Sequence, residues 1–161
     1  MKLKVNSSIP DAKIYILKDG DPKEQSIIET LGNSKALLFG LPGAYTSTCS
    51  KLHLPGYVKN AEKLKAKGIN KIFCISVNDP HVMNAWGEVN HVGKNITMLA
   101  DPYLSFTKLI GAEIDRNSKG MGIRSSRYAM IIENLKVQNI QEEEETKSCG
   151  ISSAEAILDL I

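Results

Sequence analysis

Cys49 closes the segment Pro42-Gly43-Ala44-Tyr45-Thr46-Ser47-Thr48-Cys49, in which proline, threonine and cysteine are spaced P-x-x-x-T-x-x-C. The apolar run 36–41 ahead of it reads as a buried strand, and residues 50–67 behind it read as a helix. The thiol therefore falls at a strand–turn–helix junction, where unpaired N–H groups and the positive end of the helix dipole favour an anion. A thiolate nucleophile is the chemistry this placement supports. Thr46, three residues earlier, can turn its hydroxyl back beside the sulfur, donating and accepting at once; a bond to local turn backbone is the plainer alternative. Pro42 has no N–H and a fixed φ, so it can wall a pocket without a competing donor, or simply end the strand.

The other reactive groups are less pointed. Cys74 sits mid-strand in Ile72-Phe73-Cys74-Ile75-Ser76-Val77 and is expected to be an inert core residue. Cys149 follows the acidic run 141–147 and precedes Gly150, a polar setting that suits an exposed, mobile second thiol. His53, four residues after Cys49, shares its helix face. A Cys–His pair fits a thiol hydrolase or a metal site. Yet no orienting carboxylate lies nearby in sequence, and His81 and His91 have no ligand spacing with His53. A structural or interface histidine is expected, with no metal or other cofactor. Position 46 is threonine, so Cys49 has no Cys-x-x-Cys partner, which weighs against a disulfide oxidoreductase. Arg124 and Arg127 are permanently charged, forked donors suited to holding an anion, or else surface charges at a sheet edge.

The elements that must position these groups alternate along the chain. Strands are expected at 13–17, 35–41, 69–77 and 96–99. The helix at 50–67 contains Pro55, which predicts a kink near 51–54, and Gly68 caps its end. A second helix opens with Asp79 as N-cap and Pro80 at its first position, burying Trp86 with Val82, Met83 and Val89. A short helix at 105–110 follows. Strands at 128–132 and 135–140, joined by Glu133-Asn134, read as a hairpin. Ser152 or Ser153 caps a last helix with Glu155 in its first turn. Strands alternating with helices, then a hairpin and a terminal helix, predict an α/β sandwich around a mixed sheet.

With 161 residues and 42% hydrophobic content the chain suits one domain, 1–161, with a proper core. Twenty basic against 18 acidic residues leave a formal charge of +2, and no basic block occurs, so nucleic acid is not an expected partner. No apolar run approaches the ~20 residues of a membrane span. The first residues lack the apolar core of a secretory signal and the Arg- and Ser-rich character of an organelle leader. Three cysteines without framework spacing point to a reducing, cytoplasmic setting. The acidic run 141–147 reads as a solvated loop or hairpin extension, with a docking surface for a basic reductase as the sharper alternative.

The segment around Cys49 resembles the active-site motif of the peroxiredoxins, the thiol-dependent peroxidases, and is similar to their type II and atypical two-cysteine subgroup. The likeness continues through Cys49-Ser50-Lys51-Leu52-His53-Leu54-Pro55-Gly56-Tyr57, Cys74-Ile75-Ser76-Val77-Asn78-Asp79-Pro80, Ala85-Trp86-Gly87, Leu99-Ala100-Asp101, the stretch 120–128 and Ser152-Ser153-Ala154-Glu155. Tyr45 and Ser47 depart from it, where the subgroup usually has Phe and Pro. The resemblance implies a thioredoxin-like fold, a homodimer, and reduction of hydrogen peroxide and alkyl hydroperoxides through a sulfenic acid on Cys49. It places the catalytic arginine at Arg127, with Arg124 as a supporting contact. Thr46 and Pro42 complete the site. Reduction then runs either through Cys149 as resolving thiol with thioredoxin-type recycling, or through glutathione, glutaredoxin or thioredoxin attacking Cys49 directly. A redox-sensing interaction module built on the same thiol is the rival from another class.

Overall fold

Alternating apolar residues build a seven-stranded mixed sheet that is covered on both faces. The computed structural model describes residues 1–161. In chain order the strands are β1 (Lys13–Lys18), β2 (Asp21–Ser26), β3 (Ala36–Leu41), β4 (Lys71–Ser76), β5 (Thr97–Ala100), β6 (Glu113–Asp115), β7 (Ile123–Ser125), β8 (Tyr128–Glu133) and β9 (Lys136–Glu142). The main sheet has the order β2-β1-β5-β4-β3-β8-β9, while β6 and β7 form a separate ribbon. β3 runs parallel to β4 and antiparallel to β8, which makes the sheet mixed, as expected. The helices are α1 (Ile27–Leu31), α2 (Leu54–Ala66), α3 (Pro80–Val89), α4 (Ser105–Leu109) and α5 (Ala154–Asp159).

Period-two alternation sorts the central strands between two cores. Leu37, Phe39, Leu41, Cys74 and Ile131 face α2, α3 and α5. Leu38, Phe73, Ile75, Met130 and Ile132 face α1 and α4. β3 is buried along its whole length, so its C-terminal end delivers the following turn at a fixed height. Gly40 pairs with Tyr128 across the sheet, and a Cβ there would overlap the tyrosine ring.

Several details differ from the sequence reading. β2 and α1 were not expected, because the strand is polar and lies at an edge, where Pro22 is tolerated. The Asp19-Gly20 turn between β1 and β2, with both residues at positive φ, is a hairpin signal that marks it. The β6–β7 ribbon was also not expected. The β8–β9 turn falls on Asn134-Leu135, both at positive φ, rather than on Glu133-Asn134. Val89 is 65% exposed and leaves the buried stripe of α3, whereas Met83 and Trp86 are buried. Asp79 caps α3 by accepting from the Val82 N–H at 3.0 Å. Ser153, not Ser152, caps α5.

Candidate active site

The turn after β3 is tied before any chemistry is considered. Asn78, just beyond β4, accepts on Oδ1 from the Ala44 N–H at 3.0 Å and from the Ser76 hydroxyl at 2.8 Å. Helical geometry begins at Ser47, two residues before Cys49. Residues Cys49–His53 then form a π-helical turn, closed by the Leu54 N–H donating to the Cys49 carbonyl. Pro55 explains it. Without an N–H, and with its ring against the carbonyl four residues back, it denies Lys51 an α-helical bond, and the chain widens by one residue. The kink expected at 51–54 is this wide turn. The Trp86 indole of α3 donates to the Ser50 hydroxyl at 3.1 Å, pinning the turn from the opposite side.

Cys49 is 1% exposed, and Arg127 Nη2 donates to its Sγ at 3.2 Å. Arg127 follows the ribbon strand β7 and immediately precedes β8, and is itself 1% exposed. Its Nη1 donates to His53 Nδ1 at 2.8 Å. Its Nε and Nη2 donate to the Thr146 carbonyl at 3.2 and 2.9 Å. No carboxylate lies within ion-pair distance of this guanidinium. The planar fork thus serves the sulfur, an imidazole and a carbonyl, all of which accept.

His53 is fixed by what surrounds it. Its Nε2 faces the Ser152 carbonyl at 3.1 Å, which can only accept, so the ring proton sits on Nε2 and Nδ1 is free to accept from Arg127. Burial, reinforced by the Arg127 charge, lowers its pKa to about 3, so the ring is neutral at physiological pH. Phe39 and Tyr57 hold the ring edge-to-face at 5.2 and 5.5 Å, and the Tyr57 hydroxyl donates to the same Ser152 carbonyl at 2.7 Å. The histidine touches the arginine, and no group of three or more His, Cys, Asp or Glu side chains is placed to hold a metal ion.

Thr46 donates its hydroxyl proton to the Gly43 carbonyl at 2.7 Å. The local backbone bond and an outward role coexist, because the oxygen lone pairs remain able to accept. Arg124 does not join the sulfur. Its Nε and Nη1 donate to the Met121 and Val77 carbonyls at 2.7 and 2.9 Å, tying β7 to the end of β4 beside Gly43. Pro42 is buried and, with Thr46, Ser47, Thr48 and Arg127, lines a cavity of about 180 Å³ beside the turn that carries Cys49; Arg116, Lys119 and Lys147 line it too. Two surface cavities of about 570 and 660 Å³ lie elsewhere and share no lining residue with it.

Cys74 is fully buried in the sheet, and burial raises its thiol pKa well above the usual range, which fits an inert core residue. Cys149 departs from the exposed, mobile setting expected. It is half-buried, and burial raises its pKa to about 11 against the opposing pull of Arg127. Its loop is clamped by Glu143, one of whose carboxylate oxygens accepts from Gly150 N–H at 2.7 Å, Ser152 N–H at 2.9 Å and the Ser152 hydroxyl at 2.8 Å. The acidic run is thus not simply a solvated loop. Gln141 and Glu142 end β9 as an extension of the hairpin, Glu143 anchors the following strap, and Glu144, Glu145 and Lys147 are exposed. Glu143, Thr146 and Ser152 touch the site without any such role having been expected of them, and His53, expected as a structural histidine, supports Arg127. Only the four-residue spacing of Cys49 and His53 signalled one of them.

The Redoxin family model matches residues 4–158. The chain is 42% identical over 155 residues to Peroxiredoxin-2D of Arabidopsis thaliana, covering 96% of this chain and 95% of that protein. It is 43% identical over 155 residues to Peroxiredoxin-2C of Oryza sativa subsp. japonica, with the same coverage. Among solved structures, reduced Prx3 of Vibrio vulnificus in complex with hydrogen peroxide superposes with a TM-score of 0.92 at 42% identity, covering 98% of each chain.

Proposed function

The chain belongs to the redoxin family and within it to the peroxiredoxins, and from that premise we propose that Cys49 is the peroxide-reducing nucleophile, with Arg127, Thr46 and Pro42 forming its site. The protein is a thiol-dependent peroxidase with a thioredoxin-like fold. The observation that carries the residue assignment is the buried Arg127 guanidinium. It has no carboxylate partner and points at the Cys49 sulfur at 3.2 Å. A buried cation requires a counter-charge, and the thiolate supplies it.

The reaction then runs as follows. The Cys49 thiolate attacks the terminal oxygen of the hydroperoxide; an S–O bond forms and the O–O bond breaks, its electron pair leaving on the alkoxide or hydroxide, which takes up a proton. Arg127 offers charge to the developing oxyanion, a preorganised contribution of the oxyanion-hole kind. Thr46, its own proton committed to Gly43, accepts from the peroxide O–H and sets its direction. Pro42 walls the cavity. Cys49 ends as a sulfenic acid, which a thiol converts to a disulfide with loss of water; a second thiol then restores the thiolate.

The reductant in this reading is an external thiol, glutathione or a glutaredoxin- or thioredoxin-type protein, while the strap is closed. The Glu143 clamp and the raised pKa of Cys149 support that order, because Cys149 can act as resolving thiol only after the strap opens. The working form is a homodimer of single-domain chains, with exposed Tyr45 and Leu52 near the site offering apolar surface, and the cytoplasm is its setting, where three free thiols persist. Sedimentation equilibrium giving a mass near 17.7 kDa, not twice that, would remove the dimer.

The deciding experiment treats wild type, Cys49→Ser and Cys149→Ser with one equivalent of hydrogen peroxide, followed by alkylation and intact-mass analysis. Cys49→Ser must lose peroxide consumption altogether; a variant that kept it would sink the assignment. A sulfenic acid trapped on Cys49 in both wild type and Cys149→Ser supports the external reductant. A Cys49–Cys149 disulfide in wild type would replace it with internal resolution.

A further inference from the structure

The 180 Å³ cavity bounded by Arg127 and the turn before Cys49 is lined by three further cations and by no carboxylate. Arg116 and Lys119 come from one ordered loop, in which Arg116 N–H donates to the Gly122 carbonyl at 2.8 Å and the Lys119 and Met121 N–H groups donate to the Arg116 carbonyl at 2.9 and 3.2 Å. Lys147 follows Thr146, whose carbonyl holds the catalytic arginine, so its backbone is placed relative to the sulfur. None of the three is in an ion pair. The four pairs in the molecule join the Met1 ammonium to Glu142, Lys13 to Glu24, Lys23 to Asp21 and Lys65 to Glu62. The same three cations also line an adjoining cavity of about 410 Å³ with Asp115, Glu144 and Glu145, none of them within ion-pair distance, and Asp115 accepts from the Asn117 N–H at 2.7 Å.

Hydrogen peroxide and neutral alkyl hydroperoxides make no use of three unpaired charges at the mouth of their pocket. We propose that Arg116, Lys119 and Lys147 hold a carboxylate carried by an organic hydroperoxide, so that the enzyme favours anionic hydroperoxides over neutral ones of the same shape. The proposal rests on Cys49 being the nucleophile. A carboxylate drawn to this rim is brought to the cavity from which the peroxide reaches sulfur, and like-charged walls concentrate it there before any contact with Cys49. The same chemistry would recognise a carboxylate-bearing thiol, so the oxidative and reductive steps have to be timed separately.

The test compares cumene hydroperoxide with its para-carboxylate, mixed with reduced protein in the absence of any thiol and quenched with an alkylating reagent for mass analysis of Cys49. At low ionic strength the carboxylate should oxidise Cys49 about tenfold faster. The ratio should shrink towards one in 1 M salt, where the screening length is about 3 Å, and in the Lys119→Gln/Lys147→Gln double variant. Equal rates in wild type, or a preference that survives both salt and the double variant, would overturn the proposal. In a second arm, pre-formed sulfenic acid is reduced with glutathione or its diethyl ester. A charge preference confined to this arm would assign the rim to the reductant and equally overturn the proposal. If hydrogen peroxide itself leaves wild-type Cys49 untouched, the nucleophile assignment falls and the proposal with it; hydrogen peroxide reacting while the carboxylate gains nothing sinks the proposal alone.

Discussion

Arg127 serves three acceptors through one rigid fork, and a lysine, with a single point of charge, cannot. Arg127→Lys should therefore retain the local charge yet lower the rate of Cys49 oxidation by about 10²–10³-fold, the effect of losing an aligned oxyanion donor. Stopped-flow oxidation with hydrogen peroxide checks it, and a loss under tenfold would show that charge alone suffices. His53 gives a prediction in pH. An unfolded histidine takes a proton near 6.5, but the folded protein resists until about 3. Between those values the unfolded chain holds the extra proton, so stability is fully present above 6.5 and declines as the pH falls, by at most about 1.4 kcal/mol per unit. His53→Gln keeps a donor for Ser152 and an acceptor for Arg127 while removing that slope. Denaturant titrations near pH 7 and near pH 5 should show wild type losing more than the variant; equal losses would mean another group sets the slope. The gathering of Cys49, Thr46 and Pro42 around one turn was legible from type and spacing alone. The His53 role was not, because its partner Arg127 lies 74 residues away and no local pattern announces that contact.

The elements that carry the site differ in how openly the sequence declares them. β3 is apolar throughout, β4 is apolar between Lys71 and Ser76, and α3 bears its cap and proline in plain order, so each was readable. β2 is polar and β6 and β7 are only three residues each, all held by register rather than by their own hydrophobicity, and the ribbon supplies Arg124. Sequence spacing could locate a disturbance at Pro55 but not its form, since the wide turn also depends on Trp86 reaching Ser50. One close approach is decisive for the sheet. Gly40 lies under the Tyr128 ring, whose buried hydroxyl has no hydrogen-bond partner. Gly40→Ala should destabilise by about 1–3 kcal/mol through overpacking. Tyr128→Phe, by contrast, should be neutral or stabilising by up to about 1–2 kcal/mol, because it removes an unsatisfied buried polar atom. Thermal melts of the two variants must move in these directions. A stabilised Gly40→Ala would show that the ring gives way freely.

Across the whole molecule, the two ends of the strap 143–152 converge on Arg127. Thr146 holds it directly, and Ser152 holds it through His53. Glu143 closes the strap by taking three donors on one oxygen. Glu143→Ala should release it, speeding amide hydrogen exchange over 144–151 and alkylation of Cys149 several-fold, with a slower Cys49 oxidation as the remote consequence. Unchanged exchange would show that the strap is held elsewhere. Composition alone could not reveal that one glutamate of four in a row is the fastening, because only burial and partners distinguish it.

Trp86 is the only tryptophan in the chain, it is fully buried, and its indole N–H ends on the residue next to Cys49. When the turn bearing Cys49 unwinds to present its sulfur to a thiol, that bond must break and the indole must meet a new environment. The molecule therefore carries its own optical gauge of the catalytic cycle. Its emission should step once on sulfenic acid formation and again on disulfide exchange, without any label.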